Sequence, residues 1–177
     1  MTFMGGPRVE DFRVAMDYGQ FYLYSRDDIY GDDFDTIEVV TQASSEGIAE
    51  RDGFIVVSSP HQNNFDMRLR VEVWPERPPF DLDDWQEAFA ASLQVGPTGL
   101  TYDSPTLTPQ PVRAPTGHYR LLIVGRGFVA RGWPGSTTPG DEWRLQMWPD
   151  ETTTPARRLR TWTWTWTWIL ALRNLAL

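Results

Sequence analysis

The chain contains no cysteine and no lysine, and its only histidines are His61 and His118. Without cysteine, neither a disulfide framework nor thiolate chemistry nor a cysteine-ligated zinc site can form. Two isolated histidines without a second ligand motif predict no metal site. No stretch approaches the roughly 18 apolar residues that a membrane span needs, and the N-terminus lacks the basic and apolar regions of a secretory signal. We therefore expect a cytoplasmic protein without cofactors that does not contact a membrane.

Sequence signatures of catalysis are also missing. The chain has no G-x-S-x-G elbow, no H-E-x-x-H and no phosphate-binding loop. Asp83 and Asp84 could serve as a glycosidase pair, but acids that are adjacent in sequence do not face each other across a cleft. His61 lies in a loop-like segment and is expected to be exposed, and His118 opens a strand after a glycine. The sequence therefore favours binding over catalysis.

What the chain does contain predicts one globular domain rich in β-structure. It has 177 residues, of which 41% are hydrophobic, with nine tryptophans and 14 each of glycine and proline. Residues 67–74 alternate cleanly, with Met67, Leu69, Val71 and Val73 on one face, as in a half-buried strand. Similar short runs, separated by turn signals, cover residues 13–24, 53–58, 118–125 and 142–148. We predict an all-β, single-domain antiparallel β-sandwich of about seven to nine short strands, with room for one short helix.

Three segments leave the element type or its partner open. Residues 83–95 fit either a helix or a strand, with a strand favoured from Ala91, and the turn at residues 96–99 predicts a hairpin with the run at 100–102. Residues 105–115 predict a loop or an irregular edge. Residues 161–168 repeat Thr-Trp and predict a strand with four tryptophans on one face. We assign residues 1–155 to the sandwich and 156–177 to a tryptophan-rich strand or tail of the same domain.

An acidic run between residues 27 and 38 is the most distinctive feature. It holds six carboxylates and no base, with Ile29, Tyr30 and Phe34 between them. The order of acids and glycine does not match a calcium-binding EF-hand loop. A solvated loop is one interpretation. The other is a docking surface, with Tyr30 and Phe34 as apolar anchors and charge supplied by Asp28, Asp32, Asp33, Asp35 and Glu38.

The charge is unevenly distributed along the chain. The net charge is −8, but residues 1–92 carry 19 acids and seven bases, whereas residues 93–177 carry five acids and nine bases. An acidic first half makes the chain a poor nucleic-acid binder and a suitable partner for a basic protein.

The order of these elements resembles the ComJ-type inhibitors of DNA-entry nucleases. The resemblance spans about residues 14–126 and consists of five short stretches: Asp17-Tyr18-Gly19-Gln20-Phe21, Gly53-Phe54-Ile55-Val56, Met67–Val73, Ser92-Leu93-Gln94-Val95 with Gly99-Leu100, and Gly117-His118-Tyr119-Arg120-Leu121. It implies a small, non-enzymatic β-sandwich that binds a nuclease and blocks it. It transfers no inhibitory residue to a numbered position.

Three functional hypotheses follow. The first is an inhibitor or immunity-type partner of a basic protein, a nuclease or a bacterial toxin, that uses the acidic run. The second is a module that binds a carbohydrate or another small ligand through exposed aromatic side chains. The third is a structural domain whose tryptophan tail pairs between subunits. The sequence does not specify an oligomeric state.

Overall fold

The computed structural model describes residues 6–25, 35–129 and 135–163. These ranges form one helix and eleven strands, named here in chain order: β1 Arg8–Met16, β2 Gln20–Tyr24, α1 Thr36–Glu46, β3 Ile48–Arg51, β4 Phe54–Ser58, β5 Asn64–Val73, β6 Glu87–Val95, β7 Leu100–Asp103, β8 Gln110–Val112, β9 Gly117–Arg126, β10 Glu142–Pro149 and β11 Arg157–Arg160.

The strands form two sheets that pack face to face. One sheet has six strands in the order β1-β5-β10-β9-β6-β11, and the other has five in the order β3-β4-β2-β7-β8. Both contribute to one core, for example Phe21 and Ile55 from the five-stranded sheet and Leu69 and Trp143 from the six-stranded sheet. The predicted all-β sandwich is thus confirmed, with more strands than expected. Its pairing is antiparallel except between β5 and β10, which run parallel.

The strands with clean alternation fold as predicted. Met67, Leu69 and Val71 of β5 point into the core. In β2, Phe21 and Leu23 face the core, while Tyr22 and Tyr24 face the opposite side. This division follows from the two-residue period of a strand.

The hairpin predicted around residues 96–99 is wrong. Residues 87–95 form strand β6, which pairs with β9 and β11, whereas β7 pairs with β2 and β8 in the other sheet. The turn therefore crosses from one sheet to the other. The element type of residues 83–95 was ambiguous in the sequence because β6 is covered on both sides. Every residue from Glu87 to Leu93 is buried, so the strand shows no alternation of apolar and polar residues.

Two turns use backbone conformations that side chains rarely adopt. Asp52 and Gly53 have φ of 50° and 78°, and they join β3 to β4 in a two-residue turn. Tyr18 and Gly19 have φ of 52° and 69° between the bridged residues Asp17 and Gln20. The turn directs Tyr18 outward, and it is 66% exposed.

Helix α1 lies on the outer face of the five-stranded sheet, at a position that the sequence analysis did not predict. Its buried residues Val39 and Ala43 pack against Tyr22, Tyr24 and Phe54.

Within residues 105–115, the short β8 forms an edge of the five-stranded sheet, in agreement with the predicted irregular edge. At the C-terminus, β11 ends at Arg160 and residues 161–163 are not in a strand, contrary to prediction, while residues 164–177 lie outside the described ranges.

Candidate partner-binding surface

The acidic run leads into α1. Of its predicted site residues, Asp35 and Glu38 belong to the described part of the chain. The structure places both at the start of the helix, where they are exposed. The remaining predicted residues lie outside the described ranges: Asp28, Tyr30, Asp32, Asp33 and Phe34.

Asp35 is the N-cap of α1. Its side chain accepts hydrogen bonds from the backbone N–H groups of Ile37 and Glu38 at 3.0 and 3.2 Å. These bonds satisfy two donors that have no partner within the helix. Glu38 lies in the first turn, where a negative charge interacts favourably with the positive end of the helix dipole. Both acids thus help to define where the helix begins, and both still present their charge to solvent.

The end of α1 is also specified locally. Gly47 ends the helix in the left-handed conformation, with φ of 84°, and its N–H donates to the carbonyl of Ala43 at 2.7 Å. The Ser58 hydroxyl of strand β4 donates to the same carbonyl at 2.9 Å. The helix is therefore attached to the sheet at its end as well as along its buried face.

The charge of this surface is mainly negative. Glu38 forms an ion pair with Arg51 at 2.7 Å. The hydrogen bond from Arg51, together with its positive charge, lowers the pKa of Glu38, and the pKa of Arg51 is raised for the same reason. Both groups are exposed, so the pair adds little to stability. Arg51 balances one acid, and the charges of Asp35 and Asp52 also act on it.

Ile37 is an exposed apolar residue that the sequence analysis missed. Its side chain is 76% exposed and lies between Asp35 and Glu38. Val39 and Ala43 mark the buried face of the helix, and a residue two positions before Val39 points to the opposite side. The helical period would have identified Ile37 if the helix itself had been predicted. We name Asp35, Ile37 and Glu38 the acidic helix surface.

His61 is buried, contrary to the expectation that it is exposed. Its side chain is 2% exposed, and Nδ1 lies 2.7 Å from Oδ1 of Asp141. Nε2 lies 3.1 Å from both the N–H and the carbonyl oxygen of Val129. Asn64 and Trp143 also donate to the Asp141 carboxylate, at 2.8 and 3.1 Å. This network joins three chain segments and gives His61 a structural role.

Most of the described tryptophans are packed into the protein. Trp143 is in the core, and Trp85 and Trp148 are buried on the outer face of the six-stranded sheet. Trp162 contacts Phe128, with their ring centroids 5.8 Å apart. The rest of the repeat that motivated the carbohydrate hypothesis, Trp164 to Trp168, lies outside the described residues.

The described ranges hold no group of three or more histidine, aspartate or glutamate side chains arranged to bind a metal ion. They also include no helix long and apolar enough to cross a membrane.

The architecture defines a two-sheet β-sandwich with a helix on one outer face, and two solved structures share it. ComJ of Bacillus subtilis, described as an inhibitor of the DNA-degrading activity of NucA, matches with a TM-score of 0.57 and 13% identity. The match covers 84% of this chain and all of ComJ. The protein of crocagin biosynthetic gene J matches with a TM-score of 0.54 and 12% identity, over 83% of this chain and all of that protein.

No protein-family model matches the chain, and no curated protein matches its sequence. At the identities of the two structural matches, the likeness establishes a shared fold. The resemblance noted from the sequence is therefore supported at the level of architecture.

Proposed function

We propose that this protein is a non-enzymatic inhibitor that binds a basic protein, such as a nuclease or a toxin, and blocks it. The observation that carries the proposal is the likeness to ComJ, which extends over the whole length of that inhibitor. A fold shared with a nuclease inhibitor does not by itself define a function. The electrostatics of the chain provide independent support.

The proposed interface comprises the acidic helix surface and the five predicted residues that precede it, Asp28, Tyr30, Asp32, Asp33 and Phe34. A nuclease binds phosphate through basic groups, and a cluster of carboxylates complements such a surface. Charges of this kind mainly accelerate association and exclude wrong partners. Apolar residues that lose their water on binding mainly slow dissociation, and Ile37 is suited to this role among the described residues.

The test is capture of the partner by the immobilised protein, followed by an assay of the eluted protein for DNA degradation. The decisive variant combines Asp35→Asn, Ile37→Ala and Glu38→Gln, since asparagine also caps helices and preserves the fold. A matched control combines Phe80→Ala, Asp83→Asn and Asp84→Asn, which removes one exposed apolar side chain and two exposed acids elsewhere.

We expect the decisive variant to bind the captured nuclease at least about tenfold more weakly. The control variant should bind within about twofold of the native chain. Equal loss in both variants would exclude the acidic helix surface as the interface. Capture of proteins that neither degrade DNA nor are inhibited by the free chain would contradict the proposed function as a whole.

A further inference from the structure

The outer face of the six-stranded sheet carries an arginine-lined groove, on the side of the protein away from α1. The groove has a volume of about 460 Å³, within the range of small-molecule sites. Two carboxylates line it, Asp11 and Glu142. Five arginines also line it: Arg13, Arg68, Arg70, Arg126 and Arg144. This balance is opposite to that of the whole chain, whose net charge is −8.

The strand register places like charges directly opposite each other in this groove. Arg13 of β1 pairs with Arg68 of β5, and Arg70 of β5 pairs with Arg144 of β10. Like charges in directly opposed positions destabilise a sheet. The same register also places Asp11 opposite Arg70 and Glu142 opposite Arg68, so each like-charge pair is flanked by a carboxylate.

Carboxylates compensate this charge in part. Arg70 lies 2.8 Å from Glu72 and 3.2 Å from Asp11, and Arg13 lies 3.0 Å from Asp66. Arg126 also pairs with Glu142.

Two arginines retain unused donors. Within the described ranges, the Arg68 side chain makes no hydrogen bond or ion pair. The buried Nε of Arg144 has no hydrogen-bond partner among the described residues, and its contact with Glu72 is long, at 3.6 Å. The exposed Arg68 guanidinium is therefore open to a ligand, whereas the Nε of Arg144 is buried and is not.

Trp85 fixes two of the guanidinium groups. The Cζ atoms of Arg126 and Arg144 each lie 4.8 Å from the centroid of its ring. Trp85 is held in turn by its N–H bond to Leu82, at 3.0 Å, and by the bond from Arg160 to its carbonyl, at 2.9 Å. Contact with the same ring limits the positions that both guanidinium groups can take. The site is therefore preorganised on one side.

We propose that this groove binds a compact small-molecule anion with two or more acidic groups, of the phosphoryl or polycarboxylate type. Planar guanidinium groups bind such oxygens in a bidentate manner. A long polyanion fits less well, because Asp11 and Glu142 interrupt the groove and the chain as a whole repels it. The site is separate from the acidic helix surface, so this proposal does not depend on the proposed inhibitor function.

The experiment is a calorimetric titration of the full chain at low salt with inorganic diphosphate and, separately, with citrate. The two probes distinguish a phosphoryl ligand from a carboxylate ligand. The variants are Arg68→Gln, whose side chain contributes no described contact to the fold, and Arg70→Gln. Arg113→Gln is the matched control, because Arg113 is exposed and lies beside β8 in the other sheet.

The expected result is saturable one-to-one binding of at least one probe. Affinity should fall about tenfold or more in Arg68→Gln and Arg70→Gln and stay within about twofold in Arg113→Gln. Absence of saturable binding of both probes, or an equal loss in Arg113→Gln, would overturn the proposal. Tighter binding of a single-stranded oligonucleotide, lost in the same two variants, would overturn the assignment to a compact anion.

Discussion

At the scale of single residues, two buried glutamates of the six-stranded sheet have pKa values shifted in opposite directions. Burial alone would raise the pKa of Glu72, but hydrogen bonds from Gln146, Arg70 and Trp74 outweigh it, and the pKa is lowered. Burial raises the pKa of Glu87, and the bond from the Trp162 N–H and the charge of Arg158 compensate it only in part. The surrounding donors, more than the depth of burial, decide whether the charged form is stabilised.

These shifts predict opposite effects of pH on two glutamine variants. A lowered pKa stabilises the fold above the ordinary value of 4.5, and this contribution is lost as pH falls through the folded-state pKa. A raised pKa makes the free energy of unfolding fall as pH rises from 4.5 through the folded-state pKa. Relative to the native chain, we expect Glu72→Gln to lose stability above pH 4.5 and Glu87→Gln to gain it. Urea denaturation at several pH values measures both, and parallel curves for the two variants would contradict the assignment.

The Asp141 carboxylate is a position at which we expect substitution to cause a large loss of stability. It accepts from His61, Asn64 and Trp143, all of them buried or nearly so. Asp141→Ala leaves these donors without a partner, so we expect a loss of about 3–5 kcal/mol in the free energy of unfolding. The exposed Asp66→Ala should cost no more than about 1 kcal/mol. Chemical denaturation compares the two, and similar losses would mean that the network is not structural.

At the scale of elements, two substitutions at the N-cap of α1 distinguish a structural role of Asp35 from a role in binding. Asp35→Ala removes the cap and should destabilise the protein by about 1 kcal/mol, whereas Asp35→Asn keeps the cap and should be nearly neutral. Both variants remove the charge. A loss of partner binding in Asp35→Asn without a loss of stability would assign the effect to docking, and equal destabilisation of both would contradict the cap geometry.

Strand β11 closes one edge of the six-stranded sheet. Arg158 lies over the ring of Phe89, with Cζ 5.4 Å from the centroid, and Arg160 donates to the carbonyl of Trp85 at 2.9 Å. A chain ending at Pro155 should therefore be less stable than one ending at Thr163 by at least about 2 kcal/mol. Thermal unfolding of the two chains tests this, and equal melting temperatures would show that β11 is dispensable.

Some of these elements could be predicted from the sequence and others could not. Strands β5 and β10 could be predicted because each has one face in the core and a more polar opposite face. Helix α1 was missed because Ile37, Val39 and Val40 are β-branched and disfavour a helix. Asp35 and Glu38 have the spacing of a capping box, but they were interpreted only as part of an acidic run. The arginine-lined groove was invisible because it depends on the register between strands, which no local pattern specifies.

At the scale of the whole molecule, the two outer faces carry different charge. Helix α1 presents acids and the exposed Ile37 on the outside of one sheet, while arginines line a groove on the outside of the other. The core between the sheets is apolar and holds both faces in fixed positions. A sandwich of this kind can present two binding surfaces that act independently, and each proposal can therefore be tested without disturbing the other.

The most direct test of the proposed inhibitor function is the rate of DNA degradation by the captured basic protein, titrated with the purified chain. The rate should fall to zero near one equivalent, and the inhibition should weaken as salt is raised, because salt screens the charges of the acidic helix surface. Full inhibition by the native chain and by the Phe80/Asp83/Asp84 control, with much weaker inhibition by the Asp35/Ile37/Glu38 variant, is the predicted result. An undiminished rate in the presence of excess chain would contradict it.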